Sequence, residues 1–182
     1  MNLENLSFLR ITKGFVIKPF NCEDDDLNEF LFEEAIPYRK ELLATTFVIE
    51  DDTRTLGYYS LLNDSLQLIK EEMFSSKSQL KKFLRDLIPY PKRHLKNIPS
   101  VKIGRLAVDE SCKGKGLGKI MIHTIISNCL MLNDNQACRL ITVDAYKQAI
   151  PFYQRMGFEF LSDNDKEDST RLMFLDLADL EE

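Results

Sequence analysis

Three lysines and three glycines alternate through Lys113-Gly114-Lys115-Gly116-Leu117-Gly118-Lys119, directly after the short polar run Asp109–Cys112. Glycines remove the Cβ atoms that would hold a bulky anion away, and lysines supply charge of the opposite sign. If a helix begins at this point, its first N–H groups have no intrahelical acceptor and carry the positive end of the helix dipole. Together these features make a cradle for a phosphate or pyrophosphate. A second group that could do chemistry is Tyr153, in the run AIPFYQRMGF at 149–158. A phenol of ordinary pKa, about 10, is protonated at neutral pH and can serve there as a proton donor. Taken alone, Tyr153 also reads as a core aromatic at helical spacing.

The elements that must position these residues follow from periodicity. The apolar run Val101–Val108 predicts a buried strand. Leu117, Ile120, Met121, Ile125, Cys129 and Leu132 recur at three- and four-residue steps, so they share one face of a helix that Asn133-Asp134-Asn135 stops. Upstream, the pattern predicts a strand at Phe15–Phe20 and a helix opening in Glu23-Asp24-Asp25-Asp26 with Leu27, Phe30, Leu31 and Ala35 inward. A second short helix from Pro37 to Leu43 follows, then a hairpin of Thr45–Glu50 and Leu56–Leu62. Residues 66–100 are charged, helical around Gln79–Leu87 and punctuated by Pro89, Pro91 and Pro99, which reads as a basic insertion between two strands. Downstream come a strand at Arg139–Asp144, a helix from Gln148 to Arg155 stopped by Gly157, and strands at Phe158–Leu161 and Arg171–Leu177.

Three phosphate-binding patterns can be laid on the glycine loop. A P-loop requires a glycine where Lys113 stands and a hydroxyl where Ile120 stands, so it fails at both positions. A dinucleotide fingerprint requires a third glycine where Lys119 stands and a tighter turn after the strand, although Asp144 at the end of the next strand suits a ribose ligand. The loop resembles most closely the coenzyme A loop of the GNAT superfamily of N-acetyltransferases, with Lys113 where that family usually has Gln or Arg. The run Ala149-x-x-x-Tyr153-x-x-x-Gly157-Phe158 resembles a second signature of the family, with Tyr146 where many members carry Asn. The order of predicted elements is that of the GNAT fold, so the resemblance covers nearly the whole chain. The runs RLAVD at 105–109 and GKGLG at 114–118, with the acidic first helix, are most similar to the acetyltransferase toxins of bacterial toxin–antitoxin pairs.

The resemblance implies one α/β (α+β) domain over residues 1–182. Its central mixed, mostly antiparallel sheet has six to seven strands flanked by helices, with a splayed pair of neighbouring parallel strands at its centre. It implies acetyl-CoA as acyl donor. Backbone groups of Leu106, Ala107 and Val108 would meet the pantetheine arm and polarise the thioester carbonyl. Lys113, Gly114, Lys115, Gly116, Leu117, Gly118 and Lys119 would hold the pyrophosphate, Tyr146 would border the arm, and Tyr153 would be the general acid. The acetyl group would pass to a primary amine by direct attack in a ternary complex. The acceptor is a small-molecule amine or an aminoacyl-tRNA, and the toxin branch adds an antitoxin protein and a homodimer as partners.

Composition is consistent with this. The chain has 182 residues, 44% hydrophobic and 29% charged, which is ordinary globular usage. No apolar run approaches the roughly 20 residues of a membrane span, and no signal-peptide layout opens the chain, so a cytoplasmic protein is expected. Cys22, Cys112, Cys129 and Cys138 show no metal-ligand spacing, and with only two histidines no metal is expected. The net charge of −5 is uneven: residues 70–119 carry thirteen Lys/Arg against five Asp/Glu, while the flanks are acidic. The part of that excess outside the loop, Lys77, Lys81, Lys82, Arg85, Lys92, Arg93 and Lys96, suits either a solvated helix face or a polyanion such as RNA. Two further readings stand beside the enzyme: an RNA- or antitoxin-binding module centred on the basic segment, and a coenzyme A binder without catalysis. Glu50 and Asp64 are candidate bases, but an α-amine near pKa 7.7 needs none.

Overall fold

The computed structural model describes residues 8–67, 74, 76–88 and 97–180. Seven strands alternate with helices: β1 (Phe8–Arg10), α1 (Asp25–Glu29), a π-helical turn (Phe30–Glu34), α2 (Ala35–Lys40), β2 (Thr45–Glu50), β3 (Thr55–Gln67), α3 (Lys77–Leu87), β4 (Asn97–Val108), α4 (Leu117–Leu132), β5 (Leu140–Tyr146), α5 (Ile150–Arg155), β6 (Glu159–Phe160) and β7 (Thr170–Asp176). The strands are hydrogen-bonded in the order β1-β2-β3-β4-β5-β7-β6, antiparallel except for the parallel pair β4–β5. The chain divides into two compact units, one of residues up to Leu62 with Ile103–Ile125, the other of Asn63–Lys102 with Ile126 onward.

In the first unit, the core is built from Ile11, Phe20, Phe30, Leu31, Ala35, Val48, Tyr58 and Ala107. Tyr58 anchors it: its hydroxyl donates to the Leu27 carbonyl at 2.7 Å, and the rings of Phe20 and Phe30 pack on it at 5.5 and 6.2 Å. Asp24 caps α1 by accepting the Leu27 N–H at 3.1 Å, so the acidic run opens the helix as its pattern suggests. The helix does not restart at Pro37. It runs on from α1 through the π turn into α2, and the wide turn falls where the Pro37 ring would crowd the Glu33 carbonyl and provides no N–H for it. The expected strand at Phe15–Phe20 is irregular. Its alternation reflects packing, with Phe15 and Ile17 partly buried against the core and Val16 81% exposed, whereas the place beside β2 is taken by β1.

The second unit buries Leu66, Leu87, Ile98, Leu140 and Leu161 with Leu80, Phe83 and Leu84 of α3. Phe83 meets Phe174 edge to face at 5.5 Å. Arg139 ties the end of α3 to the sheet: its Nη2 donates to the Leu87 carbonyl and to Asp176 Oδ2, both at 2.7 Å, and its Nε faces Asp176 Oδ1 at 2.7 Å. The apolar side of α3 is thus part of this unit's core, while Lys81, Lys82 and Arg85 on its other side are exposed. Lys92, Arg93, Lys96, Pro89 and Pro91 lie outside the described residues. Strand β3 runs five residues past the expected Leu62, and β6 is shorter than expected, Leu161 being buried next to it. Among the described residues no helix is long and apolar enough to cross a membrane.

One glycine lets α4 lie close on the sheet. A Cβ at Gly57 would stand 3.1 Å from the Ala107 carbonyl oxygen and 3.1 Å from Leu117 Cδ2. The first of these neighbours is backbone and cannot step aside. Gly57→Ala should therefore lower the unfolding free energy by about 1–3 kcal/mol in urea titration. Gly104→Ala, where the added carbon meets at 2.8 Å only the movable end of Leu62 among side chains, should cost less; equal losses would show that the Ala107 carbonyl does not set the limit.

Candidate active site

The glycine loop hangs from a buried carboxylate. At the end of β4, Asp109 is 3% exposed and caps the 3₁₀ turn Glu110–Cys112. One carboxylate oxygen accepts the N–H and hydroxyl of Ser111, at 3.0 and 2.5 Å, and the other accepts the Asn21 N–H at 3.0 Å. Its own N–H donates to the Leu56 carbonyl at 2.9 Å, and the next N–H donates to the Asn21 carbonyl at 2.8 Å. Burial pushes the Asp109 carboxyl up, but the Ser111 and Asn21 hydrogen bonds and the Arg54 guanidinium 3.6 Å away outweigh it and hold the group below the usual carboxylate range. The loop's starting point is therefore fixed to β3 and to the segment before α1.

Beyond this point Gly114 and Gly116 adopt φ of 74° and 82°, which only glycine takes without strain. A Cβ at either would meet nothing within 4 Å, so the loop's outer surface is open. The Ile120 N–H donates to the Gly116 carbonyl at 3.2 Å as the first bond of α4. Consequently the N–H groups of Leu117, Gly118 and Lys119 have no acceptor inside the helix. Leu117 is buried beneath them, and Lys115 and Lys119 are exposed beside them. These residues fit a pyrophosphate: unpaired N–H donors, the helix dipole, two free ammonium groups and room to approach.

Lys113 does something else. Its Nζ lies 2.6 Å from Glu23 Oε2 and 2.9 Å from the Cys22 carbonyl, and the Glu23 carboxylate raises its pKa. Glu23 itself sits at φ 65°, a strained value for a side-chain-bearing residue, with its N–H donating to Asn21 Oδ1 at 2.9 Å. Lys113 therefore clasps the loop to the segment before α1, a role its place in the motif did not reveal. Leu106, Ala107 and Val108 form the last three residues of β4, Ala107 buried and its neighbours half-buried.

In the second unit, Tyr146 is the exposed last residue of β5, in register with Thr170. Tyr153 lies in α5, whose first turn accommodates Pro151. It is 5% exposed, between the rings of Phe152 and Phe158 at 5.1 and 5.3 Å, and burial pushes its phenol pKa well up. The Phe158 N–H donates to the Tyr153 carbonyl at 3.0 Å, and Gly157 turns the chain at φ 87°. Glu50 is committed to Lys18 at 3.2 Å and to the Thr55 hydroxyl at 3.2 Å, as a structural carboxylate. Asp64 is exposed on β3. Three features escaped the sequence: Arg105 lies over the Phe30 ring at 4.0 Å and faces Glu34 at 4.0 Å, Lys102 pairs with Asp144 at 2.6 Å, and the Thr142 hydroxyl is buried without a partner. Strand alternation flags none of them, because their partners come from distant segments.

The Asp109 bracket has a pH signature. Its folded pKa lies below the unfolded value of about 3.9, so the stability it contributes is complete above that pH and is lost as pH falls through the folded value. Asp109→Asn should cost about 1–3 kcal/mol at pH 7 and make the unfolding free energy decline less steeply below about pH 4. Parallel acid slopes for the two proteins would rule out the bracket as a source of acid lability.

Comparison with known proteins agrees with this geometry. Residues 28–174 match the family model described as an acetyltransferase (GNAT) domain. A tRNA-acetylating toxin of Mycobacterium tuberculosis is 26% identical over 151 residues, 82% of each chain. Among solved structures, a tyrosine-to-phenylalanine mutant of KacT superposes with a TM-score of 0.75 at 28% identity over 97% of both chains. AtaT complexed with acetyl-methionyl-tRNAfMet superposes with a TM-score of 0.74 at 25% identity, covering 97% of this chain and 98% of that one. A strand-borne glycine loop at the head of a long helix, followed by a tyrosine helix, on this sheet order is what the family match spans: the chain belongs to the GNAT acetyltransferases, which use acetyl-CoA to acetylate amines.

Proposed function

We propose that this chain acetylates the α-amine of aminoacyl-tRNA, as a toxin of the type its relatives represent, and so would act beside an antitoxin protein. The observation that carries the reading is the outer side of α3. In a chain of net charge −5, Lys81, Lys82 and Arg85 stand exposed on a helix whose other side is locked into the core, a fixed cationic row suited to a phosphate backbone. The similarity to a tRNA-acetylating toxin and to AtaT with its acetylated tRNA supports the same acceptor. A small-molecule amine would have no use for that row.

In this reading the open N–H groups at the start of α4, with Lys115 and Lys119, hold the pyrophosphate of acetyl-CoA. The end of β4 at Leu106–Val108 offers backbone groups to the pantetheine arm and the thioester carbonyl. The neutral acceptor nitrogen attacks that carbonyl carbon and the C–S bond breaks; Tyr153 gives its proton to the departing thiolate, and the proton the nitrogen sheds as the amide forms returns through solvent to the phenolate. Its burial keeps the phenol protonated throughout the physiological range, so the donor is always loaded. An α-amine near pKa 7.7 is partly neutral without help, so its transfer requires no dedicated base.

Two outcomes test the assignments. Tyr153→Phe keeps the ring between Phe152 and Phe158 and removes only the hydroxyl; kcat should fall by about 10²–10⁴ while acetyl-CoA affinity holds, and full activity would reduce Tyr153 to packing. Replacing Lys81, Lys82 and Arg85 together by Glu should raise KM for charged tRNA by about tenfold or more and flatten its dependence on log salt, with a contribution of about 0.7–0.9 lost per phosphate contact. Acetyl-CoA affinity should not move. An unchanged KM and slope would detach the basic row from the acceptor.

A further inference from the structure

In the second unit, the turn that follows α4 folds one cysteine back towards another. The Asn133 N–H donates to the Cys129 and Leu130 carbonyls, both at 3.1 Å, and its side-chain oxygen accepts the Cys138 N–H at 2.6 Å. The N–H groups of Asn135 and Gln136 close the turn on the Leu132 carbonyl at 2.9 and 2.8 Å. Beyond it, the Arg139 N–H donates to the Pro99 carbonyl at 2.9 Å, which fixes the chain against β4. Asn133 therefore holds the backbone of both cysteines and brings their sulfurs within hydrogen-bonding reach. The Cys129 thiol donates to the Cys138 sulfur, and the Cys138 thiol donates in turn to the Leu140 carbonyl at 3.3 Å.

The two thiols are not equivalent. Cys129 is 3% exposed and Cys138 is half-buried. The hydrogen bond from Cys129 outweighs burial and, with backbone hydrogen bonds from Val101 and Leu140, holds the Cys138 thiol below its ordinary pKa. The same bond, with burial, pushes the Cys129 thiol far up. Thiolate is the reactive form, so Cys138 is the sulfur that reacts first. Both side chains line one cavity of about 170 Å³, with Pro99, Val101, Leu132 and Gln136 among its other walls. At about 30 Å³ per water molecule it admits small solutes, and it is well below the roughly 300 Å³ at which pockets for larger organic ligands begin. A small hydroperoxide fits there, and a tripeptide thiol does not. Cys22 is different: its thiol donates to Asn28 Oδ1 at 3.3 Å, and burial pushes its pKa up.

We propose that Cys129 and Cys138 form a peroxide-oxidisable dithiol, with Cys138 as the attacking sulfur and Cys129 as the resolving one. The Cys138 thiolate attacks one oxygen of a small hydroperoxide and the O–O bond breaks. Cys138 becomes a sulfenic acid, and the departing oxide takes up the proton that Cys138 had released. The Cys129 sulfur then attacks the sulfenic sulfur; its proton and the hydroxide leave together as water, and the S–S bond forms. Two thiols and one hydroperoxide thus give one disulfide, one water and one alcohol, the alcohol being a second water when the oxidant is hydrogen peroxide. The two electrons that the sulfurs lose are those the peroxide gains. The new bond ties the last turn of α4 to the residues leading into β5. Nothing in this chemistry depends on the acetyl acceptor.

The test uses the full chain, reduced and then freed of reductant, with hydrogen peroxide as oxidant and thiol alkylation with non-reducing peptide mapping as readout. Expected is a linked Cys129–Cys138 peptide, reversed by dithiothreitol, while Cys22 and Cys112 remain open to alkylation after unfolding. The link should form about tenfold or more faster in the folded protein than in the guanidinium-unfolded chain, because the fold supplies the proximity. Cys129→Ser should stop at the sulfenic acid, read as a dimedone adduct on Cys138, and Cys138→Ser should leave Cys129 reduced. The wild-type measurement decides the proposal even where a variant fails to fold. Retention of all the thiols, oxidation that falls first on Cys22 or Cys112, or a link that forms no faster in the folded chain overturns it. So does wild-type Cys138 that passes to the sulfinic acid without a link.

Discussion

A single buried carboxylate holds the glycine-loop end of the first unit together. Asp109 accepts from Asn21 and Ser111 while its backbone reaches Leu56, so the end of β4, the start of β3 and the segment before α1 converge on one residue. Removing any of these donors would leave a charge in a place where water cannot compensate, and the cost of that keeps the geometry in one state. Lys113 repeats the device one turn later, with Glu23 held in a left-handed conformation to receive it. The flexible part of the loop is thereby confined to Gly114–Gly116, and the donors presented at the start of α4 need no rearrangement to meet an anion. Preorganised donors are worth more to a charged ligand than mobile ones, because no ordering cost is paid at the moment of binding.

Eight cations of this chain fall into three classes that their residue type does not distinguish. Lys113, Lys18 and Arg139 are consumed by internal partners, Lys115 and Lys119 stand open at a helix N-terminus, and Lys81, Lys82 and Arg85 form an exposed row on α3. Of these, the last two groups stand open to a ligand. Burial of the opposite side of α3 gives its row a fixed position, which a cluster on a mobile tail would lack. The α3 face and the loop thus have the same logic: charge is placed on an element whose other side is anchored by apolar packing.

Much of this was legible in the sequence. The strand before the glycines, the α4 helix, the 45–50 strand and the α5 turn with Pro151 and Gly157 all follow from periodicity and backbone chemistry. Within α4 the reading was right about Leu117, Met121, Ile125 and Cys129, while Ile122 is also buried and Leu132 is 59% exposed, since the last turn of a helix need not be covered. What could not be read is what depends on partners distant in the chain. Phe15–Phe20 alternates like a strand and packs without pairing. Glu23 and Lys113 are ninety residues apart, as the clasp between them requires. The Lys102–Asp144 pair and the orphaned Thr142 hydroxyl depend on the register of β4, β5 and β7, which local patterning cannot supply.

An aminoacyl acceptor, as proposed, would require no strong base. Of the two carboxylates that sequence position suggested, Glu50 is occupied by Lys18 and Thr55, and Asp64 is exposed on β3. A lysine acceptor, with pKa about 10.4, would require a group able to hold a proton against a difference of several units; an α-amine near 7.7 loses its proton to water often enough that orientation becomes the larger barrier. In the proposed mechanism the buried phenol of Tyr153 keeps a proton for the leaving sulfur. A site working in this way would favour acceptors whose amine is already weakly basic, and the electron-withdrawing ester of an aminoacyl group is a chemical feature that makes it so.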